Sequence, residues 1–469
     1  MTNKYNQYYF LGIGGIGMSA LARYFNTKGF SVAGYDLTQT KLTDKLQAEG
    51  ITIVFDESIE SIPADFLEPN KTLIIITPAV PNEHEQLVFF RKNNFHIMKR
   101  SEVLGAITRQ SKAICIAGTH GKTTTSTMIA HLMHQSHVEC SAFLGGISSN
   151  YKTNLITSTQ SNYVVVEADE YDRSFHRLTP FMAVITSMEP DHLDIYGSEE
   201  AFVESFEHFT SLITSGGSLI VNSKINLQPR LQKGVKHYTY GLDENANFHA
   251  KNIRSDNGKI LFDFVAPTDT IHDIKLGVPV MINVENAVAA MALAWLNGVT
   301  NEELRTGMAT FQGIYRRFSL VYQDENVVYM DDYAHHPGEL KASISSIRQL
   351  FKGRKITGIF QPHLYTRTRD FASEFAEALS DLDELILLDI YPAREIPIEG
   401  VTSEIILKDV TIQNKSLINK ENLLTLLDKK EIDVLVTFGA GDIDKMVPEI
   451  KKFLKKKHKE LMEKNESTA

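Results

Sequence analysis

The chain predicts an α/β fold in three domains, and three stretches carry that expectation. The first, over residues 8–28, is an apolar strand, a glycine-rich loop and a helical pattern in that order. The second repeats the order from residue 113 onward. The third, from about residue 315, is a series of apolar strands, each ending in polar or glycine-rich residues. Length agrees, since 469 residues exceed a single core and suit about three domains at ~150 residues each.

In the first region a strand at 8–11 runs into Gly12-Ile13-Gly14-Gly15-Ile16-Gly17, then a helical pattern over 18–28 that opens with Met18 and Ser19. A second strand, 31–35, ends at Asp36. G-x-G-x-x-G at a strand–helix junction with an acidic residue about 20 positions on reads, taken alone, as a dinucleotide fingerprint. The complete dinucleotide fold needs two mononucleotide-binding halves. The space before the second loop suits one half plus a little more, which favours a nucleotide diphosphate or nucleotide sugar over NAD. A strand over 72–77, ending at Thr77, leads into Pro78-Ala79-Val80-Pro81, a ligand-facing type of loop.

The middle region opens on Ala113-Ile114-Cys115-Ile116-Ala117, followed by Gly118-Thr119-His120-Gly121-Lys122-Thr123-Thr124 and a helix. This order builds a phosphate cradle. Backbone N–H groups of the turn and the helix N-terminus face an anion, the lysine reaches the outer phosphates, and a threonine hydroxyl can hold Mg²⁺. The general pattern G-x-x-x-x-G-K-[ST] would place a glycine where this chain has Ile116; the glycine stands at Gly118 instead. Strands at 161–167 and 181–186 then run into Ala168-Asp169-Glu170 and Glu189-Pro190-Asp191-His192-Leu193-Asp194, and a helix over 286–296 closes the region. In the last region the expected strands are 327–330, 356–360, 385–388 and 434–438, with a helix over 370–379 among them. The charged run 451–464 reads as a solvated terminal helix fraying into a tail.

Composition narrows the function. The chain is 43% hydrophobic and 23% charged, as soluble globular proteins are. No apolar run nears the ~20 residues that span a bilayer, and the polar start leads straight into a strand without a signal peptide, so a cytoplasmic protein without membrane insertion is expected. A net charge of −10 argues against nucleic-acid binding. Two cysteines make neither a disulfide framework nor a four-cysteine metal site.

Three further clusters suggest a reaction. Glu167 and His192 follow apolar strands downstream of the phosphate loop and suit a second divalent cation beside the one on Thr123. Tyr315-Arg316-Arg317-Phe318 places paired arginines at a domain junction, where they could reach a γ-phosphate. Asp331-Asp332-Tyr333-Ala334-His335-His336-Pro337 follows a strand; an acid there can take a ribose hydroxyl, and a histidine can orient an amine. Arginines of Gln361-Pro362-His363-Leu364-Tyr365-Thr366-Arg367-Thr368-Arg369-Asp370 could clamp a carboxylate.

GIGGIGMS (12–19), GTHGKTTT (118–125), EADE (167–170), EPDHLD (189–194), YRRF (315–318), DDYAHHP (331–337), QPHLYTRTRD (361–370) and GAGD (439–442) occur in the order seen in the Mur ligases, and the chain resembles that family from its start to about Asp442. The resemblance implies a Rossmann-like UDP-sugar-binding domain over 1–106, a P-loop ATPase-like ATP-binding domain over 107–312 and a Rossmann-like amino-acid-binding domain over 313–469. It implies an ATP- and Mg²⁺-dependent ligase joining L-alanine to the lactyl carboxylate of UDP-N-acetylmuramate through an acyl phosphate. The alternative within the family is the recycling enzyme that attaches a tripeptide. Later-acting members carry a carbamylated lysine about fourteen residues past the EPDHLD histidine; here no lysine lies between Lys152 and Lys224, which favours the L-alanine enzyme or its recycling relative, and between these two GIGGIGMS resembles the L-alanine enzyme.

By the same resemblance Gly12, Gly14, Gly15, Gly17, Met18, Ser19, Asp36 and Thr77 serve the UDP substrate. Gly118, Thr119, His120, Gly121, Lys122, Thr123 and Thr124 cradle ATP, Asp332 takes its ribose, and Asn283 and Asn286 face adenine. Thr123, Glu167 and His192 hold Mg²⁺. Arg316 or Arg317 bears on the γ-phosphate, and His335 and Arg367 position L-alanine. The family's adenine stretch, G-x-H-N-x-x-N, departs here, with Ile282 in the histidine's place. Domain closure is expected to assemble the site, in a monomer or homodimer. Two other classes were weighed: an NAD-dependent dehydrogenase built on the first loop, and a non-catalytic nucleotide-binding regulator.

Overall fold

The structure, a computed structural model, describes residues 4–189, 193–256, 259–393 and 395–466. The chain packs into two compact units, one of Met1–Ile253, Leu261–Gly277 and Asn283–Gln312, the other of Arg254–Ile260, Val278–Ile282 and Gly313–Ala469. Three sheets run through them.

The first sheet holds β1 (Gln7–Leu11), β2 (Ser31–Tyr35), β3 (Thr52–Val54), β4 (Thr72–Ile76) and β5 (His96–Lys99) in the order β3-β2-β1-β4-β5, all parallel. That is five strands of the doubly wound order, a three-stranded half and two strands more, where the available length suggests one half plus a little more. The chain saves length by linking β3 to β4 with two short 3₁₀ turns, Ile59–Ser61 and Ala64–Leu67, in place of a full helix. β1 and β4 are neighbours whose chain connections diverge, so the loops after them flank the switch point where such sheets bind ligands.

The second sheet holds β6 (Lys112–Ala117), β7 (Ser141–Phe143), β8 (Leu155–Ile156), β9 (Tyr163–Glu167), β10 (Met182–Ile185), β11 (Ser218–Asn222), β12 (Lys236–Gly241), β13 (Phe248–Asp256), β14 (Lys259–Ala266) and β15 (Asp269–Lys275). Their order is β15-β14-β13-β12-β11-β10-β6-β9-β7-β8. β6 lies parallel between β10 and β9, so the loops after all three open at one edge. Five of the six β6 residues are buried, the continuous apolar run of a parallel strand covered on both faces. Full burial of Ile114 and Ile116 contributes about 1.5–3 kcal/mol each. Cys115 is buried here too, its thiol pushed far up by that burial, so it is a core residue.

The third sheet, in the second unit, holds β16 (Ser319–Gln323), β17 (Val328–Asp332), β18 (Ile356–Phe360), β19 (Glu384–Leu388), β20 (Lys415–Ile418) and β21 (Val434–Phe438) in the order β16-β17-β21-β18-β19-β20. Only β16 is antiparallel to its neighbour. β21 lies between β17 and β18, in register with both, which brings the loops after these three strands together.

The helix expected over 286–296 begins five residues earlier, at Met281, and runs to Leu296. The helix expected over 370–379 is two, Tyr365–Asp370 and Ala372–Leu379, broken at Phe371. The terminal helix spans Val447–Glu466, and its first turns are not solvated: Ile450 and Leu454 pack into the core below β21.

Candidate active site

The phosphate loop is built as its residues dictate. Gly118 has φ +134°, and a Cβ there would lie 2.3 Å from Thr186 Oγ1 and 2.8 Å from the Ser187 nitrogen, so only glycine fits. Gly121, in the left-handed region, precedes the helix Lys122–His134. Ser187, at the end of β10, braces the loop: its Oγ accepts from the His120 N–H at 2.6 Å and shares a hydrogen bond with Thr119 Oγ1 at 2.9 Å. The Glu189 N–H donates to Thr119 Oγ1 at 3.2 Å. Lys122 folds back over the loop, donating to Gly118 O at 2.5 Å and to Glu170 Oε1 at 2.8 Å. His120 is exposed and pairs with Glu189, and Thr124 is half-buried on the first turn.

Thr123 donates to Glu167 Oε1 at 3.2 Å, so two of the three expected Mg²⁺ ligands are neighbours. Two hard oxygen donors at that separation fit adjacent positions around a small octahedral cation, whose neighbouring oxygens are about 3 Å apart. A Cβ on Gly145 would lie 2.1 Å from Glu167 Oε2, so glycine makes room for the carboxylate. His192 lies outside the described residues. Among the described residues no group of three or more His, Cys, Asp or Glu side chains could hold a metal by itself.

Asn286 sits beside this loop as a brace. It accepts from Thr125 Oγ1 at 3.2 Å and donates to Asn283 Oδ1 at 3.2 Å; all three side chains are buried.

At the first loop, the Gly14 N–H donates to Asp36 Oδ2 at 2.7 Å, and Asp36 Oδ1 accepts from the Thr38 N–H at 3.3 Å. Asp36 therefore shapes the glycine loop. Ser19 is wholly buried, its hydroxyl bonded to Ile16 O and accepting from Asn154 Nδ2; it is anchored inside rather than turned to a ligand. Gly15, Gly17, Met18, Thr77 and Glu167 line a cleft of about 310 Å³. The cleft thus runs from the first glycine loop to the candidate metal carboxylate. Gly12 lies at its back, where a Cβ would press on Thr77.

Sequence reasoning missed Arg100 and Asp169, which line this cleft and a second one of about 280 Å³ beside it, and which pair at 3.1 Å. Lys99 pairs with Asp172 at 3.2 Å in the same manner. The available signal was two adjacent cations at a strand–helix junction, too common to single out.

In the second unit the paired arginines separate. Arg316, with φ +63°, is turned inward and buried. It meets Asp331 Oδ2 at 3.3 Å, donates to the carbonyls of Gly439 and Gly441, and lies over the Tyr333 ring. Arg317 is exposed. Asp331 also accepts from Thr437 Oγ1 at 2.7 Å. Asp332 accepts from Ser343 Oγ at 2.5 Å and from the Phe318 N–H at 3.4 Å, and burial raises its pKa.

His335 Nδ1 lies 3.1 Å from Tyr333 O and 3.3 Å from Glu339 Oε2. Burial outweighs Glu339 and lowers its pKa, so the ring is neutral at physiological pH. His363, also missed, lies with its ring 6.2 Å from that of His335 and stacked on Tyr391 at 5.8 Å. Burial, then Arg367, brings its pKa down to about 4. Among the described residues His363 Nδ1 and Arg367 Nη1 are buried without hydrogen-bond partners. Leu364, next to them, is held at φ +72°, a strained conformation of the kind that collects at ligand sites.

A glycine loop at the switch point of one α/β sheet and a lysine-bearing phosphate loop in the next define a protein that handles nucleotide phosphates. Profiles described as the Mur ligase family catalytic domain, the Mur ligase middle domain and the Mur ligase glutamate ligase domain match residues 7–112, 116–294 and 316–441 in turn. The chain belongs to the Mur ligase family. A UDP-N-acetylmuramate–L-alanine ligase of Phocaeicola vulgatus is 58% identical over 457 residues, 97% of this chain and 100% of that protein. One of Porphyromonas gingivalis is 56% identical over 448 residues, 95% of this chain and 98% of that protein. The crystal structure of a UDP-N-acetylmuramate–alanine ligase from Thermotoga maritima matches with a TM-score of 0.79 at 27% identity, covering 97% of this chain and 99% of that one. A murein peptide ligase from Psychrobacter arcticus shares the fold, with a TM-score of 0.65 at 20% identity over 96% of this chain and 98% of that one. Among the described residues no helix is long and apolar enough to cross a membrane.

Proposed function

We propose that the chain is an ATP-dependent ligase of peptidoglycan biosynthesis, acting in the cytoplasm, that joins L-alanine to the lactyl carboxylate of UDP-N-acetylmuramate. The observation that carries this is 58% identity across essentially the whole of a UDP-N-acetylmuramate–L-alanine ligase. The recycling alternative is disfavoured, since the peptide ligase that shares the fold does so at 20% identity.

The chemistry follows from the residues. A carboxylate resists attack by an amine because a second negative charge would build on it. Transfer of the ATP γ-phosphoryl group makes an acyl phosphate, which the amine of L-alanine attacks, expelling phosphate. The glycine loop and the first helix N-terminus take the diphosphate of the sugar nucleotide. The 310 Å³ cleft then leads the lactyl group toward Glu167. Lys122 neutralises charge between the outer phosphates. Thr123 and Glu167, joined by His192, hold Mg²⁺, which when bound supplies charge neutralisation at the transferring group. Of the two arginines Arg317 is the one that serves the γ-phosphate, because Arg316 is spent on Asp331 and two carbonyls. Asp332 supports the ribose, Asn286 and Asn283 back the adenine end of the loop, Arg367 takes the L-alanine carboxylate, and neutral His335 accepts a hydrogen bond from the amine. Rate comes from positioning and charge stabilisation.

The corresponding domains are 1–106, 107–312 and 313–469. The partners are these three small molecules, not nucleic acid or a bilayer, and the enzyme acts as a monomer or homodimer. Phosphate release from ATP tests the reading. It should require UDP-N-acetylmuramate together with L-alanine, and glycine, L-serine and the L-alanyl-γ-D-glutamyl-diaminopimelate tripeptide should stimulate less. Release driven by the tripeptide and not by L-alanine would overturn the assignment.

A further inference from the structure

One buried charge beside the phosphate loop has no task in that scheme. The Glu170 side chain is 3% exposed and its Oε1 lies 2.8 Å from the Lys122 ammonium. Its other oxygen, Oε2, is buried with no hydrogen-bond partner among the described residues. The Tyr196 hydroxyl, donating to the Glu170 carbonyl at 2.6 Å, fixes the backbone beneath it.

Stability does not account for this arrangement. A carboxylate taken out of water is expensive unless its lone pairs are satisfied, and apolar replacements of such pairs are often as stable or more so. Here one oxygen has an ammonium and the other has nothing. The lysine side is equally telling. An ammonium has three N–H donors, and Lys122 directs them to Gly118 O at 2.5 Å, Thr119 O at 3.4 Å and Glu170 Oε1 at 2.8 Å. Every donor is engaged inside the protein, so a phosphate oxygen on the loop must displace one of these acceptors. Two of them belong to the loop itself and move with it. Glu170 belongs to the segment after β9 and is the one carboxyl group of the three, so among them it opposes a phosphate most directly.

We infer that Glu170 is a positioning residue for phosphoryl transfer: it anchors the Lys122 ammonium over the loop and yields a donor to the nucleotide phosphates as they bind. The inference rests on the ATP reading of the loop. It predicts opposite changes in binding and turnover, which a merely structural ion pair would not give.

The test uses the full chain with Glu170→Gln, Glu170→Asp and both changes in a Lys122→Ala background. Calorimetry measures the affinity for a non-hydrolysable ATP analogue without the other substrates, and steady-state kinetics measure kcat and the KM for ATP. Glu170→Gln, which is isosteric, should bind the analogue at least threefold more tightly while kcat falls at least tenfold. Glu170→Asp, which keeps the charge, should recover a large part of kcat. In the Lys122→Ala background neither change should have a further effect. Unchanged affinity and kcat in Glu170→Gln would overturn the inference. So would a loss of both that tracks a lower melting temperature and is not rescued by aspartate. Failure of the unmodified chain to bind the analogue is a different result, and it would remove the ATP reading itself.

Discussion

The phosphate loop and the segment after β18 handle their polar groups in opposite ways. Around the loop, Lys122, Thr123, Thr125, Ser187 and Asn286 all find partners within the protein. After β18, Arg367 Nη1 and His363 Nδ1 are buried and unpartnered among the described residues. A ligand at the loop must displace what is already bonded. A ligand after β18 supplies bonds that are missing, and leaving them unmade is costly. Hydrogen-bonding capacity left unused can therefore separate neighbours of the same residue type, and the two arginines of the YRRF stretch test this directly.

Replacing each of them should separate activity from stability. Arg317→Ala should lower kcat by about 10³-fold, the scale of an arginine acting on a transferring phosphoryl group. Its stability should stay within about 0.5 kcal/mol of the parent, as for other exposed positions. Arg316→Ala should instead destabilise the chain by about 3–5 kcal/mol, because it strands the buried Asp331. Denaturant titration beside kinetics reads both. An Arg316 variant of normal stability and no activity would reverse the assignment.

Arg367→Ala is the next largest effect. Loss of a charge-assisted pair costs about 1.5–3 kcal/mol, so the KM for L-alanine should rise about 10- to 150-fold while the KM for ATP stays within about twofold. The melting temperature should not fall, since the variant removes a buried guanidinium N–H that no acceptor satisfies. A KM increase shared equally by ATP would place Arg367 outside the amino-acid pocket.

What the sequence revealed follows how local each feature is. AICIAGTHGKTT is a strand, a turn and a helix start, all set by neighbours in the chain, and the structure forms them in place. β11–β15 could not be read the same way. β15 buries only two of its seven residues fully, too faint a period to separate from a loop. Arg316 and Arg317 are adjacent and chemically identical, and the positive φ of Arg316 decides which turns inward. Arg100 and Asp169 meet across 69 residues, and no spacing rule links them. Within EADE the Glu167 that meets Thr123 and the Glu170 that meets Lys122 differ only by the path of the turn after β9.

The smallest expected effect concerns two histidines on opposite sides of the same comparison. His131 and His363 each have a pKa brought down to about 4 by burial, against about 6.5 in an unfolded chain. Between those values the unfolded state binds more protons, so stability rises with pH across the window, is fully present above about pH 6.5, and is lost as pH falls toward 4. The melting temperature should follow that course. His131 shares hydrogen bonds with Tyr151 and Thr310 at 2.9 and 3.1 Å, so His131→Asn should lower the melting temperature at pH 8 as well as flatten the acid slope. His363, with a buried nitrogen that no partner satisfies, should behave differently: His363→Asn should leave the pH 8 value nearly unchanged and flatten only the acid slope. Equal losses at pH 8 for the two variants would show that His363 is held as firmly as His131, and the contrast between the loop and the segment after β18 would not hold.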